Sequence, residues 1–180
     1  VVQFDIAGAH PDYRRSIPDI LTPLTEQYPG AVLKSVVLFR PAPGDTSIGG
    51  TTDGVIRLNS YWFTRGPSLL RRAAANRHAV EVGGVRMGWH GPMVDEPAHV
   101  LTHEFGHVSW DALPRREVEK WTRERFRAAT RDPRRAPSGY ALVGNPPLLE
   151  FWAEEFTLVH MGLATDEEAA DMRDVLRGLQ

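Results

Sequence analysis

The sequence predicts a helix-rich α+β fold with a small sheet in its N-terminal half. Two observations carry this: β-branched apolar runs cluster early, at Ala31 to Phe39 and Val55 to Asn59, while apolar residues at helical spacing dominate the second half. A third concerns organisation. No repeat, low-complexity tract or domain boundary interrupts the chain, so residues 1–180 are expected to form one domain.

Each element has its own signal. Tyr13, Ile17, Ile20, Leu21, Leu24 and Tyr28 form a helical stripe, with Pro18 and Pro23 expected to break its regularity. Ala31–Phe39 reads as a strand. Pro41–Gly54, with two prolines and four glycines, reads as a loop. Residues 54–59 alternate after Val55, which predicts a second, half-exposed strand. Residues 67–80, led in by Pro67-Ser68, read as a helix, and Gly83–Gly91 is a glycine-rich stretch carrying Trp89 and His90. Asp95 as N-cap and Pro97 in the first turn start a helix running through Trp110. Pro114 opens a basic helix that Pro133 and Pro137 end. Asn145-Pro146 begins a helix reaching about Met161, where Gly162 can terminate it. Thr165-Asp166-Glu167-Glu168 is a capping box for a last helix that turns Ala169, Met172, Val175 and Leu176 inward.

Composition narrows the function classes. A 20.1 kDa chain that is 42% hydrophobic and 24% charged can bury a real core without staples. Its longest apolar runs fall far below the ~18 residues of a membrane span. There is no cysteine, hence no disulfide and no thiolate nucleophile, and any metal must be held by His, Asp or Glu. Net charge is −2, which argues against a chain that coats nucleic acid. Charge is uneven, however: residues 115–135 hold nine basic and four acidic groups, so this segment is +5 and the remainder −7. A solvated helix face explains that best, with a contact surface for an anionic partner as the alternative. The chain opens at Val1 without a methionine or a signal peptide, which predicts a piece of a longer polypeptide and leaves the compartment open, cytoplasmic or exported.

His103-Glu104-Phe105-Gly106-His107 carries the chemistry. Residues four apart share a helix face, so both imidazoles can reach one ion. Glu104 lies beside that ion, where it can take a proton from an activated water. Composition alone would produce the pattern about 0.02 times in this chain, so its presence is informative. Two histidines leave such a zinc site one protein ligand short. A third histidine in the eleven-residue pattern is missing, because that position is Leu113. Glu150, Glu154 and Glu155 are the candidate carboxylates. Glu150 and Glu154 share a face, which suits one group on the metal and one on the far nitrogen of a ligating histidine, while Glu155 is rotated away. His99 continues the histidine stripe, but it stands about 12 Å along the axis from His107, too far to share one ion with it. His160 and His90 are weaker candidates, and His10 and His78 read as surface residues. Phe151, Trp152, Phe156, Leu158 and Val159 read as packing between the two ligand helices.

The run Glu150 to His160 resembles the glutamate helix of the anthrax lethal factor protease domain, and His103 to His107 matches that family's active-site helix. The chain is also similar to the zincin-like peptidase domains of phage head-morphogenesis proteins and polymorphic toxins. The shared order is a strand ending in Leu-Asn (Val55-Ile56-Arg57-Leu58-Asn59), a Gly-x-His element (Gly88-Trp89-His90), the active helix, Ser138-Gly139-Tyr140, Asn145 and Glu150, over residues 50–163. The resemblance implies a zincin-like fold and a zinc endopeptidase. It implies one Zn²⁺ per chain on His103, His107 and Glu150, with Glu104 as general base, Glu154 orienting a histidine and Tyr140 stabilising the oxyanion. Tyr140 departs from the pattern by standing ten residues before Glu150, with Pro146 and Pro147 in the interval.

Peptide-bond hydrolysis follows as the expected reaction, with a peptide or protein substrate and a parent polypeptide or delivery apparatus as candidate partner. Val55–Asn59 is expected to be the edge strand that lines the cleft and receives the substrate as one more strand. Two rivals stand beside this reading. An inactive binding or structural module would have no use for Glu104. A phosphodiesterase using the basic segment would need the carboxylate-rich two-metal arrangement that the sequence lacks, which argues against nucleic acid as a partner.

Overall fold

The computed structural model describes residues 1–45, 47–70, 80–88 and 97–180. A four-stranded sheet contains β1 (Gln3–Asp5), β2 (Ser35–Phe39), β3 (Gly49–Thr52) and β4 (Val55–Asn59), in the order β1-β2-β4-β3. β1, β2 and β4 are parallel, and β3 is antiparallel to β4. Parallel neighbours need a crossover, and helix α1 (Pro11–Gln27) connects β1 to β2. That helix runs through Pro18 and Pro23 instead of breaking. Each proline removes a bond to the carbonyl four residues earlier, at Arg14 and Asp19, and both of those residues are exposed to water. The buried stripe of Tyr13, Ile17, Leu21 and Leu24 holds the helix in place.

Val55–Asn59 is not the edge of the sheet. It lies between β2 and β3, with Val36 opposite Ile56 on one side and Thr51 opposite Ile56 on the other. The reason is the Asp53-Gly54 turn. Both residues have positive φ, 51° and 73°, as a two-residue type I′ hairpin requires. This turn folds Gly49–Thr52, expected to be loop, back onto β4. The edge that faces the cleft is therefore β3. The alternation within β4 is as the sequence predicts, with Ile56 and Leu58 fully buried and Arg57 exposed.

A short helix α2 (Ser60–Phe63) follows β4. Residues 67–70 are helical, but Val80 already begins the hairpin of β5 (Val80–Val82) and β6 (Val85–Met87). The rest of the helix expected over 67–80 lies outside the described residues, as do His78, Trp89, His90 and Asp95. Five further α-helices follow among the described residues: α3 (Ala98–Ala112), α4 (Arg115–Arg131), α5 (Gly139–Val143), α6 (Pro147–His160) and α7 (Asp166–Leu176). Both halves of the Thr165/Glu168 capping box are formed at the start of α7. None of the described helices is long and apolar enough to cross a membrane.

One apolar core joins α1, the inner face of the sheet, α3, α6 and α7, through Leu21, Ile56, Leu101, Phe105, Trp152, Phe156 and Met172 among others. The basic segment builds α4, which turns Val118, Thr122 and Ala129 inward and leaves Arg116, Lys120, Arg123, Arg127 and Arg131 exposed. Arg125 is the exception, partly buried and within 4 Å of the carboxylates of Glu155, Glu168 and Asp171. His10 caps α1, its Nδ1 accepting from the backbone N–H of Asp12.

Candidate metal centre

The site is built on the contact between α3 and α6. Every residue of α3 from His99 to Ser109 is buried, because the helix is covered on several sides. Gly106 permits a close approach: a Cβ there would lie 3.0 Å from the Ala153 Cα and 3.3 Å from the Phe156 Cβ. Trp152 then locks the register, its Nε1–H donating to the Gly106 carbonyl and to the Ser109 hydroxyl, each at 3.0 Å. A helix pair fixed this closely brings the histidines of α3 against the glutamates of α6.

Three donor atoms converge there. His103 Nε2 lies 3.1 Å from His107 Nε2 and 3.1 Å from Glu150 Oε2, and His107 Nε2 lies 3.6 Å from that same oxygen. A tetrahedral ion with bonds of about 2.0–2.1 Å spaces its ligands roughly 3.3 Å apart, so this triangle fits one face of such a site. The three residues form a group suited to holding one divalent metal. Gly144 secures the carboxylate, since a Cβ at that position would meet the Glu150 Cγ at 2.6 Å and its Cβ at 2.8 Å.

Glu154 occupies the far side of His103. Its Oε1 accepts from His103 Nδ1 at 2.9 Å, the arrangement that fixes a ring's tautomer and leaves Nε2 free for a metal. The same oxygen lies 3.3 Å from His99 Nε2. Helical spacing keeps His99 away from His107 but says nothing of a carboxylate reaching over from another helix, and the buried His99 thereby joins the network. His99, His103 and Glu154 are also close enough together to hold an ion. Filling both groups at once would require His103 to give up both ring protons, so the arrangement suits a single ion.

Glu104 is buried beside the triangle. Thr51 of β3 donates to its Oε2 at 2.8 Å, and a Cβ at Gly49 would lie 3.0 Å from its Oε1. Both residues lie in the stretch expected to be loop. Gly49, His103, Glu104 and Tyr140 line one cleft. Asn59, at the end of β4, anchors its rim. Asn59 Nδ2 donates to the Ser47 carbonyl at 2.6 Å, and its backbone N–H donates to that of Ile48 at 2.9 Å. Tyr140 sits on α5, a short helix capped by the Ser138 hydroxyl, where the sequence shows only a loop tyrosine. Its ring centroid is 6.0 Å from that of His103, and its hydroxyl hydrogen-bonds to Glu150.

Charge is tightly coupled here. Burial alone would lower the pKa of His103, but hydrogen bonds to Glu150 and Glu154, with the charges of Glu154 and Glu104, raise it to about 10. His107 moves the other way, held well below the usual histidine range by burial and by the neighbouring His103. Burial also pushes up the Glu104 carboxyl, against the pull of His103 and the Thr51 hydrogen bond. Tyr140 is raised by burial and by its acidic neighbours, Glu150 foremost, and so stays a phenol that can donate.

Glu155 turns away from this network. It is buried, and Arg125 Nε lies 3.5 Å from its Oε1. Burial outweighs that partner and raises its pKa from 4.5 to about 7. Between those values the folded chain keeps a proton that the unfolded chain releases, so this group's contribution to stability falls as pH rises, by up to roughly 3 kcal/mol. Glu155→Gln should therefore gain stability relative to the parent between pH 4.5 and 7.5, and no further above that. Denaturant unfolding of both proteins at pH 5 and pH 8 checks this, and an unchanged difference would contradict it.

An HExxH helix completed by a carboxylate from a packed partner helix is the metal-ligand geometry of the zincins, here within a helix-rich α+β fold. No family model matches the chain, and neither a curated protein nor a solved structure shows significant similarity to it.

Proposed function

We propose that residues 1–180 form a zinc-dependent endopeptidase domain of the kind that the lethal factor protease domain and the zincin-like domains of phage and toxin proteins resemble. The observation that carries this is the convergence of His103 Nε2, His107 Nε2 and Glu150 Oε2 with a buried carboxylate, Glu104, alongside. A purely structural metal site has no use for that extra carboxylate. Zinc, when bound, supplies Lewis-acid polarisation of a carbonyl and a water that deprotonates near neutrality.

The chain's own groups do the rest. Glu104 accepts the proton of the attacking water and returns it to the leaving amine. Glu154 keeps His103 in the tautomer that presents Nε2, and His99 holds Glu154 from the other side. Tyr140 donates to the oxyanion once its hydroxyl leaves Glu150. An extended peptide adds to the outer edge of β3, the terminal strand of the sheet among the described residues, so that its backbone runs along the cleft beside Glu104.

The test is incubation of the zinc-loaded chain with an unfolded protein mixture, followed by mapping of new N-termini. Cleavage should appear with zinc and vanish on chelation, and cleavage that persists without zinc would overturn the proposal. The late glutamates should rank by their positions. Glu150→Ala should cost the most zinc affinity, Glu154→Ala about 10–100-fold, and Glu155→Ala nothing measurable. Competition titration against a zinc dye reads all three, and a Glu155→Ala loss exceeding that of Glu150→Ala would contradict the ligand assignment.

A further inference from the structure

We propose that Thr51 is the positioning residue of the general base, and that Gly49 and Thr51 together form the seat of the Glu104 carboxylate. The role rests on the peptidase reading, but the seat is visible without it. Residues two apart on a strand share a face, and on β3 that face meets α3 at Glu104. Thr51 Oγ1 lies 2.8 Å from Glu104 Oε2 and 3.1 Å from the Glu104 backbone carbonyl, so it bridges the side chain and main chain of one residue. Gly49 leaves room on the other side, where any Cβ would stand 3.0 Å from Oε1. The carboxylate is thus held at one oxygen by Thr51 and given room at the other by Gly49, both on one strand.

This arrangement suits a base that must hold one orientation through a proton transfer. Threonine is stiff at χ1, so its hydroxyl does not wander as a serine's can. A carboxylate buried near His103 and Glu150 would otherwise be free to turn towards the histidine. The seat also ties the base to the strand on which the substrate is proposed to lie. Base and peptide are then placed by the same backbone, which sets their separation independently of the metal ligands.

Thr51→Val keeps the shape and removes the donor, Thr51→Ser keeps the donor, and Thr51→Ala gives a second deletion should valine fold poorly. The probe is acetohydroxamate, a zinc chelator whose hydroxyl proton passes to a neighbouring base, with binding to the zinc-loaded chain measured by calorimetry. Thr51→Val and Thr51→Ala should weaken binding about tenfold, because the carboxylate that must meet the hydroxamate proton is no longer held in one orientation, with zinc content unchanged. Thr51→Ser should bind within about twofold of the parent, because the donor is retained. In a Glu104→Gln background, Thr51→Val should have no further effect. On a cleaved peptide the same variants should lower kcat and leave KM unchanged. Parent-like binding by both deletion variants, an equal loss in the Glu104→Gln background, failure of serine to rescue, or loss of zinc would each overturn the proposal. If no peptide is cleaved, the peptidase reading fails while the hydroxamate series still decides the role of Thr51, because it reads the carboxylate and not the peptide.

Discussion

Glu104→Gln should retain zinc and the fold while losing peptide cleavage by about 10⁴-fold. General-base losses typically span ~10²–10⁴, and the upper end applies because one group serves both the attacking water and the leaving amine. Glutamine matches the shape and can still accept from Thr51 at 2.8 Å, so the seat stays filled. It cannot accept a proton. Tyr140→Phe should be milder, since it removes one hydrogen bond and leaves the metal ligands in place. Cleavage rates measured with zinc content confirmed separate the two, and parent-level turnover by zinc-bound Glu104→Gln would end the proposed mechanism.

His103→Ala and His107→Ala should each abolish stoichiometric zinc binding. His103 has the larger structural role as well, because its loss leaves Glu154 with one of its two imidazole neighbours and Glu150 without its 3.1 Å contact. Two buried carboxylates then each lose one partner, so His103→Ala should also be the less stable of the two. Zinc affinity of the parent should rise with pH. His103 holds a proton up to about pH 10 in the metal-free chain, and zinc must displace it. His107 is already neutral across this range. One displaced proton gives about a tenfold tighter Kd per pH unit between pH 6 and 9. Zinc titrations at three pH values check the slope, and a flat profile would show that His103 is not displaced.

What the sequence made legible was local. The i,i+4 histidines, the capping box at Thr165 and the amphipathic helices each depend on neighbours within a turn or two. The shared face of Glu150 and Glu154 was legible for the same reason. His99 was not, because its link to His103 runs through Glu154, 55 residues further along the chain. The edge strand was misplaced because glycine and proline dominate residues 41–54, masking a short hairpin. The signal was present in Thr51-Thr52-Asp53-Gly54-Val55, where an Asp-Gly pair joins β-branched residues. Glycines at 49, 106 and 144 carry no pattern in one sequence. Each is explained by a close approach visible only in three dimensions, to Glu104, Ala153 and Glu150 respectively. Tyr140 read as loop because five residues are too few for a periodic helix signal.

The most direct test is the position of the ion itself. Crystals of the zinc-loaded chain, with anomalous diffraction collected above and below the zinc absorption edge, should give one peak per chain. That peak should lie within bonding distance of His103 Nε2, His107 Nε2 and a Glu150 carboxylate oxygen, with Glu104 and Thr51 beside it and not on it. A peak among His99, His103 Nδ1 and Glu154 instead, or a protein ligand closing the fourth position, would contradict it.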